Sequence, residues 1–374
     1  MTTTMPLRPT TDRTVPSPAE EGAAEAFAEK VLGDVLGAMS TYAVTIGVEL
    51  GWYDALAAAR SLSSTELAEA TSTDERYARE WLEQQTVAGY LQVADPGAAP
   101  SHRRYRISPA AAEVLTDRGS LAYMAPFPGF LSALGRSLDE LVEVYRTGEG
   151  YGWHRHGDGA RCGQAEANRP MYLNLLAQEY LASVEDVHAA LARGGRVADV
   201  GCGLGWSSIG IARAYPDATV DGYVVDEPSV AAARANADEA GVAEQVRFHA
   251  VDVGTLDAGG YDVALALECV HDMADPVAVL AAMRRMVEPG GAVIVMDERV
   301  GEAFTGEPDP VEQLMYGFSL LCCLPDGRDA AESVATGTVM RRPTLEGYAR
   351  RAGFEGVEVL PIENDVFRFY RLVG

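Results

Sequence analysis

The sequence predicts an α/β protein: a mostly parallel, helix-covered sheet in the C-terminal half, behind an N-terminal helical module of winged-helix layout. Three observations carry this. From Arg196 onward, short apolar strands alternate with helical segments, the pattern of a parallel sheet covered on both faces. The first of those strands runs into a glycine-rich loop, Asp199-Val-Gly-Cys-Gly-Leu-Gly205. Upstream, two short helical segments precede two short strands around a Pro/Gly loop, which reads as helix, turn, helix, hairpin.

The elements follow in chain order. Residues 1–24 contain MTTTMPLRPTTDRTVPSPAEEG, rich in Pro, Thr and Ser and without an apolar leader core; they read as a disordered tail. A winged-helix and dimerisation domain is expected over 25–118. From about Phe27 to Leu56, apolar residues recur at three and four, a helical surface suited to packing between subunits. Ser63 or Ser64 suits the cap of one short helix and Thr73 or Asp74 the cap of a second. That second helix carries Tyr77, Trp81 and Leu82 on one side and stops near Gly89. Tyr90–Val93 and Tyr105–Ile107 are the hairpin strands.

Residues 119–192 read as a helical linker lining a ligand pocket, broken by the loop GEGYGWHRHGDGARCG. Residues 193–374 form the sheet domain. Its strands are Arg196–Val200, Thr219–Val225, Val246–Ala250, Tyr261–Leu267 and Ala292–Asp297, with helices at Ile209–Tyr215, Ser229–Ala240, Pro276–Val287 and Thr344–Ala352. Two last strands, near Val357–Pro361 and Val366–Leu372, suit an antiparallel hairpin at one sheet edge.

Composition limits function. The chain has 374 residues and a formal charge of -25, from 30 basic against 55 acidic residues. Such a field repels phosphate, so neither nucleic acid nor anionic membrane is an expected partner. No apolar run is read as long enough to span a bilayer. Five scattered cysteines, without a CxxC pair, suggest neither disulfide framework nor zinc site, and a reducing cytoplasm fits. In the wing, only His102, Arg103 and Arg104 form a basic cluster, while the second helix contains Glu80 and Glu83, a poor match to phosphate binding.

The glycine loop lets backbone approach a ligand closely at the start of a helix. Its spacing, G-x-G-x-G, and the lack of a second dinucleotide half disfavour NAD. DVGCGLG, then HAVDV (His249 to Val253), DVALALECVHDM (Asp262 to Met273) and EPGGAVIVMDE (Glu288 to Glu298) resemble successive motifs of the class I S-adenosylmethionine-dependent methyltransferases. The resemblance runs from about Arg193 to Gly374. With the winged module, the chain is similar to the small-molecule O-methyltransferases that dimerise through that module. The fold this implies is a Rossmann-like methyltransferase domain with an antiparallel C-terminal edge strand.

The resemblance implies S-adenosylmethionine as cofactor and assigns residues to it. Asp199 and the loop glycines Gly201, Gly203 and Gly205 would face its methionine end; Asp252 would bond the adenine amino group, with Val253 on the ring. In the family, an acid at the end of the second strand takes both ribose hydroxyls. Here Gly222-Tyr-Val-Val-Asp226 aligns with G-x-D-x-D, so the first acid is Val224. Three explanations stand: Asp226 reaches the ribose, the cofactor binds more weakly, or the fold serves a reaction that consumes no methyl group.

Glu268-Cys-Val-His271-Asp-Met is similar to the segment holding the general base of plant-type O-methyltransferases, so His271 is the expected base, with loop ordering as its alternative. Glu268, at a strand's C-terminal end, is a second candidate catalytic group. Asn168-Arg-Pro-Met171 resembles an acceptor-pocket stretch, with Ala167 in place of its aromatic. Trp153, Met171, Tyr172 and Tyr316 are the expected acceptor contacts. His154 and His156 form an H-x-H pair, weak evidence for a metal, and none is expected.

The expected protein is a cytoplasmic homodimer that transfers a methyl group to a small, natural-product-like acceptor. A non-methylating cyclase, lyase or hydroxylase on the same fold, and a winged-helix DNA-binding regulator, are the alternatives.

Overall fold

The computed structural model describes residues 18–374. The expected tail lies outside the described residues up to residue 17, and residues 18–24 are helical.

The first helix, Pro18–Glu49, starts earlier than the apolar periodicity suggested. Gly51, at φ +67°, then breaks the expected single helix, and Trp52–Ala58 follows. Phe27, Leu32, Leu36, Met39 and Ile46 on the long helix are exposed. Residues 22–49 are long and apolar enough, by length and composition alone, to cross a membrane. That corrects the expectation of no such run: between Asp34 and Glu49 the helix carries no charged residue.

Ser63 caps the helix Ser64–Thr71 in a capping box: its hydroxyl accepts the Glu66 N–H, and the Glu66 carboxylate accepts the Ser63 N–H at 2.7 Å. Asp74 caps Glu75–Val87. This helix buries Ala78, Trp81, Leu82 and Gln85, a face at three and four spacing; Tyr77, expected on that face, is 75% exposed at its margin. Strands β1 (Leu91–Val93) and β2 (Tyr105–Ile107) pair antiparallel. The wing arginines are committed within the module, Arg103 to Glu83 at 2.7 Å and Arg104 to Glu66 at 2.9 Å.

Helices Pro126–Gly135 and Leu138–Thr147 lead to Gly157–Met171. The last begins inside the stretch read as loop. Two of its glycines serve packing rather than a turn: a Cβ on Gly163 would stand 2.7 Å from Phe130 Cβ, and one on Gly159 3.1 Å from Ala133. The wide-turned segment Tyr172–Tyr180 follows.

Seven strands build the main sheet: β3 (Arg196–Val200), β4 (Thr219–Val224), β5 (Val246–Ala250), β6 (Tyr261–Leu267), β7 (Val287–Glu298), β8 (Gly356–Val359) and β9 (Phe367–Val373). Their order is β5-β4-β3-β6-β7-β9-β8. The five from β5 to β7 are parallel, and β9 runs antiparallel to β7. Side chains alternate between two cores. Val197, Leu265 and Ile294 pack on one face; Ala198, Ala264 and Val293 pack on the other. Burial on both faces is why these strands read as apolar runs.

Candidate functional site

Strand order reverses between β3 and β6, and ligands of open α/β sheets bind outside the carboxyl ends of the strands at such a point. A cavity of about 720 Å³ lies there. Its walls come from the loop after β3, the ends of β4, β5 and β6, the helix Gly157–Met171, and the segments at Trp153 and Asp326.

The glycine loop divides its labour. Gly201 (φ +77°) and Gly203 (φ +50°) adopt left-handed conformations on the cavity wall. A Cβ on Gly201 would meet Cys269 Sγ at 2.5 Å, whereas nothing stands within 4 Å of the position on Gly203, so that backbone is open to a ligand. Gly205 is not on the wall. A Cβ there would strike the Phe248 ring at 2.6 Å, so this glycine is required by packing. Asp199 is also off the wall, 1% exposed, and accepts the hydroxyls of Ser207 and Ser208 at 2.6 Å each. It braces the helix Trp206–Ala214 beneath the loop, and its Oδ1 is left without a partner. Burial raises the Asp199 carboxyl above its ordinary range, against the two serine bonds.

Val224 and Asp226 both reach the wall. Asp226 caps the helix Glu227–Ala240: its Oδ2 accepts the Ser229 N–H at 3.0 Å and the Ser229 hydroxyl at 2.6 Å. The same oxygen accepts Arg161 Nε at 2.7 Å, and Oδ1 takes a longer contact of 3.3 Å from Arg161 Nη2. At the end of β5, Asp252 accepts the Gly254 N–H at 2.8 Å, and Val253, buried, lines the wall beside it.

Glu268 leaves β6 at φ +56°, a conformation uncommon for a non-glycine residue and often held at functional sites. Its N–H is fixed by the Met296 carbonyl at 2.7 Å, and its carboxylate accepts from Asn168 Nδ2. The residue lies on the wall. Burial pushes its carboxyl up to about 7, aided by Asp297 and Asp272 and opposed by His271 and Asn168.

His271 is placed differently from a base at a cavity wall. It is 2% exposed and does not line the cavity. Its Nδ1 lies 2.9 Å from Asp297 Oδ1 and 3.1 Å from Glu298 Oε2, and its Nε2 lies 3.3 Å from Asp272 Oδ1. Burial alone would lower its pKa; Asp272, Glu298 and Asp297 outweigh that and raise it well above 6.5. Held between these acidic side chains and off the cavity wall, His271 is placed to order the loop after β6, the role set beside that of a base in the sequence reading.

A stability test follows. A group with a raised folded-state pKa stabilises fully below its unfolded value and loses that contribution as pH rises through the folded one. The thermal midpoint is expected to fall as pH rises above 6.5, the ordinary histidine value. Glu268 and Asp326, each held near 7, lose their contribution mostly below that window, as pH rises from the ordinary carboxyl range to about 7. Asp297→Asn should flatten this fall. Calorimetry at three pH values reads it, and an unchanged slope would reject the paired imidazolium.

Trp153 and Tyr172 line the cavity, as does Asn168. Met171 and Tyr316 do not: Met171 packs against the sheet core, and the Tyr316 hydroxyl sits 3.3 Å from Arg341 Nη2. His154 is on the wall, whereas His156 is buried edge-on against Tyr151, where burial lowers its pKa to about 4. Sequence reading missed Arg161, Trp206 and Asp326. Arg161 sat in an apparent loop; Asp326 accepts the Trp153 N–H at 2.6 Å, a contact across 173 positions that no local pattern signals.

The wall fits the cofactor that the resemblance implies. Gly203 offers open backbone, Val253 an apolar surface and Asp252 a carboxylate beside it, and the buried Trp206 Nε1 on the wall is a donor without a partner. Those groups would hold a nucleoside and its amino-acid tail.

Comparison with known proteins agrees with that fit. The Methyltransferase domain family matches residues 191–328, and the Rv2258c-like winged HTH domain family matches residues 38–117. The chain is 36% identical over 191 residues to the ubiquinone biosynthesis O-methyltransferase of Bordetella avium, covering 50% of this chain and 73% of that protein. It is 26% identical over 182 residues to the O-methyltransferase cnsE of Penicillium expansum, covering 48% and 59%. Among solved structures, the mitomycin 7-O-methyltransferase MmcR superposes with TM-score 0.67 at 22% identity, covering 94% of this chain and 99% of that one. Human N-acetylserotonin methyltransferase in complex with SAM gives TM-score 0.68 at 18% identity, covering 93% and 98%. The chain belongs to the class I S-adenosylmethionine-dependent methyltransferases, in the small-molecule O-methyltransferase-like group that carries an N-terminal winged-helix domain.

Proposed function

We propose that this enzyme methylates a hydroxyl oxygen of a small, partly aromatic acceptor, with Glu268 as the group that takes the acceptor's proton. The observation that carries this is the Glu268 carboxylate on the cavity wall, held by Asn168 and poised near neutrality. A base with a pKa near the working pH combines an available lone pair with a useful driving force. The bound cofactor supplies an electrophilic methyl group. Trp153 and Tyr172 offer aromatic surface to the acceptor and displace water from the site. Gly201 and Gly203 hold the loop backbone against the cofactor, while Asp252 and Val253 bind its adenine. His271, paired with Asp297 and Glu298, is a positioning residue behind the β6 end.

The test is a panel of phenolic acceptors incubated with S-adenosylmethionine labelled in its methyl group. The reading expects label on oxygen and one S-adenosylhomocysteine per product. Label on nitrogen or carbon would reject the oxygen assignment, and a product formed without S-adenosylhomocysteine would transfer the fold to the non-methylating alternative.

The exposed apolar residues of Pro18–Glu49, with Leu138, Val142 and Tyr145 on the helix Leu138–Thr147, support a homodimer. Light scattering is expected to give twice the chain mass for the wild type. Leu32→Glu with Met39→Glu should halve it, and a wild-type monomer would reject the dimer.

A further inference from the structure

Val224 stands where the family places the acid that reads the cofactor's ribose, and a valine side chain accepts no hydrogen bond. Two residues on stands Asp226, and Arg161 reaches that carboxylate from the helix Gly157–Met171. Both line the cavity. Arg161 is 7% exposed, so its charge must be matched, and two carboxylates do so: Asp226 through Nε and Nη2, and Asp158 through Nη1 at 2.5 Å.

A donor and acceptor count shows what this pair leaves open. A guanidinium has five N–H donors in a planar fork. Three are engaged, by the Asp226 and Asp158 contacts, so two remain. On Asp226, Oδ2 accepts from Arg161 Nε, the Ser229 N–H and the Ser229 hydroxyl; Oδ1 has only the 3.3 Å contact. Asp226 therefore retains one underused acceptor oxygen beside two free donors. Neighbouring hydroxyls of a cis diol need that combination, because each accepts through oxygen and donates one proton. A phosphate or carboxylate ligand is disfavoured, because the Arg161 charge is already met by two carboxylates. Arg161 and Ser229 also hold the Asp226 carboxyl below its ordinary range, despite its burial, so it stays an acceptor at working pH.

We propose that Arg161 and Asp226 together replace the missing acid as the ribose-reading site, Arg161 donating to a hydroxyl oxygen and Asp226 Oδ1 accepting a hydroxyl proton. This rests on S-adenosylmethionine being the cofactor. It makes Arg161 a specificity-determining residue delivered by the helix that also carries Asn168, so cofactor and acceptor walls share one element.

The test is calorimetric titration with S-adenosylhomocysteine and with its 2′-deoxy and 3′-deoxy counterparts. The wild type is expected to bind at least one deoxy ligand about 10–100-fold more weakly than S-adenosylhomocysteine, the range for a hydrogen bond to a charged group. Arg161→Met should bind S-adenosylhomocysteine at close to the wild-type level for that deoxy ligand, with the discrimination at the hydroxyl Arg161 reads gone. Asp226→Asn, which keeps a capping side chain, should lose discrimination at one hydroxyl. Equal discrimination in Arg161→Met and wild type would overturn the proposal, as would a wild type indifferent to both deoxy changes. If Arg161→Met lacks the native circular dichroism, Arg161→Lys, which keeps the charge but not the fork, takes its place with the same two outcomes. A wild type that binds no S-adenosylhomocysteine would instead reject the cofactor reading itself.

Discussion

Replacing Glu268 with glutamine is expected to lower the turnover number by about 10²–10⁴-fold, the usual contribution of a positioned general base. Affinity for S-adenosylhomocysteine should stay nearly unchanged, because the cofactor-facing groups on the loop after β3 and the end of β5 are untouched. The pH profile separates a chemical from a structural role. A base must be ionised to act, so the wild-type rate should rise with pH through about 7, where burial has placed the Glu268 carboxyl. Below that value the carboxyl is protonated and the rate is lost. Beside burial, the groups that set this limb are His271 and Asn168, which pull it down, and Asp297 and Asp272, which push it up. Glu268→Gln should lose the limb altogether. Stability moves the opposite way: an acid with a raised folded-state pKa stabilises below its unfolded value and loses that contribution as pH rises. The glutamine variant should therefore gain stability relative to wild type at pH 8. A variant that keeps the limb near 7 and most of its turnover would return the proton to another group, and His271→Gln with the opposite behaviour would name it.

Replacing Gly201 with valine should abolish cofactor binding and lower the thermal midpoint. The glycine sits at φ +77°, and a left-handed conformation costs an L-residue about 1–2 kcal/mol, more for a β-branched one. A Cβ there would also stand 2.5 Å from Cys269 Sγ, and overpacking typically costs about 1–3 kcal/mol. Together these suggest a loss of roughly 2–5 kcal/mol, or a midpoint several degrees lower for a domain of this size. The loop cannot relieve the clash and keep its place, because the Gly201 and Cys202 N–H groups are tied to the Tyr223 carbonyl at 2.8 and 3.1 Å. Gly203→Ala is the contrasting case. Nothing lies within 4 Å of its Cβ position, so its cost to folding is confined to the φ of +50°. Its methyl would stand in the cavity, so cofactor affinity should fall by more than stability does. Differential scanning calorimetry beside titration with S-adenosylhomocysteine measures both. A Gly201→Val protein that binds as wild type does would show the loop to be mobile enough to avoid Cys269, and its role as a rigid cradle would be lost.

The parts of this protein written in local patterns were legible in the sequence. Apolar strands between helices placed β3 through β9, because dihedral preference and burial on both faces act residue by residue. Ser63 and Asp74 were visible as caps because a side-chain oxygen two or three residues before a backbone N–H satisfies it wherever that spacing occurs. The cavity walls at Gly201, Gly203, Asp252, Val253 and Glu268 follow from their places at strand ends. The tertiary structure alone decided which side chains meet. Gly205 carries the loop's spacing yet answers to the Phe248 ring on β5. Gly159 and Gly163 signal a loop in isolation, but a helix packs closely through them onto Ala133 and Phe130. The sequence shows His271 only as a candidate base; the fold sets Asp297 and Glu298, 26 and 27 positions on, against its ring. Arg161 meets Asp226 across 65 positions. Sequence patterns encode backbone conformation and burial because both are settled within a few residues; charge partners, and hence protonation and chemistry, depend on neighbours that only the folded chain brings together.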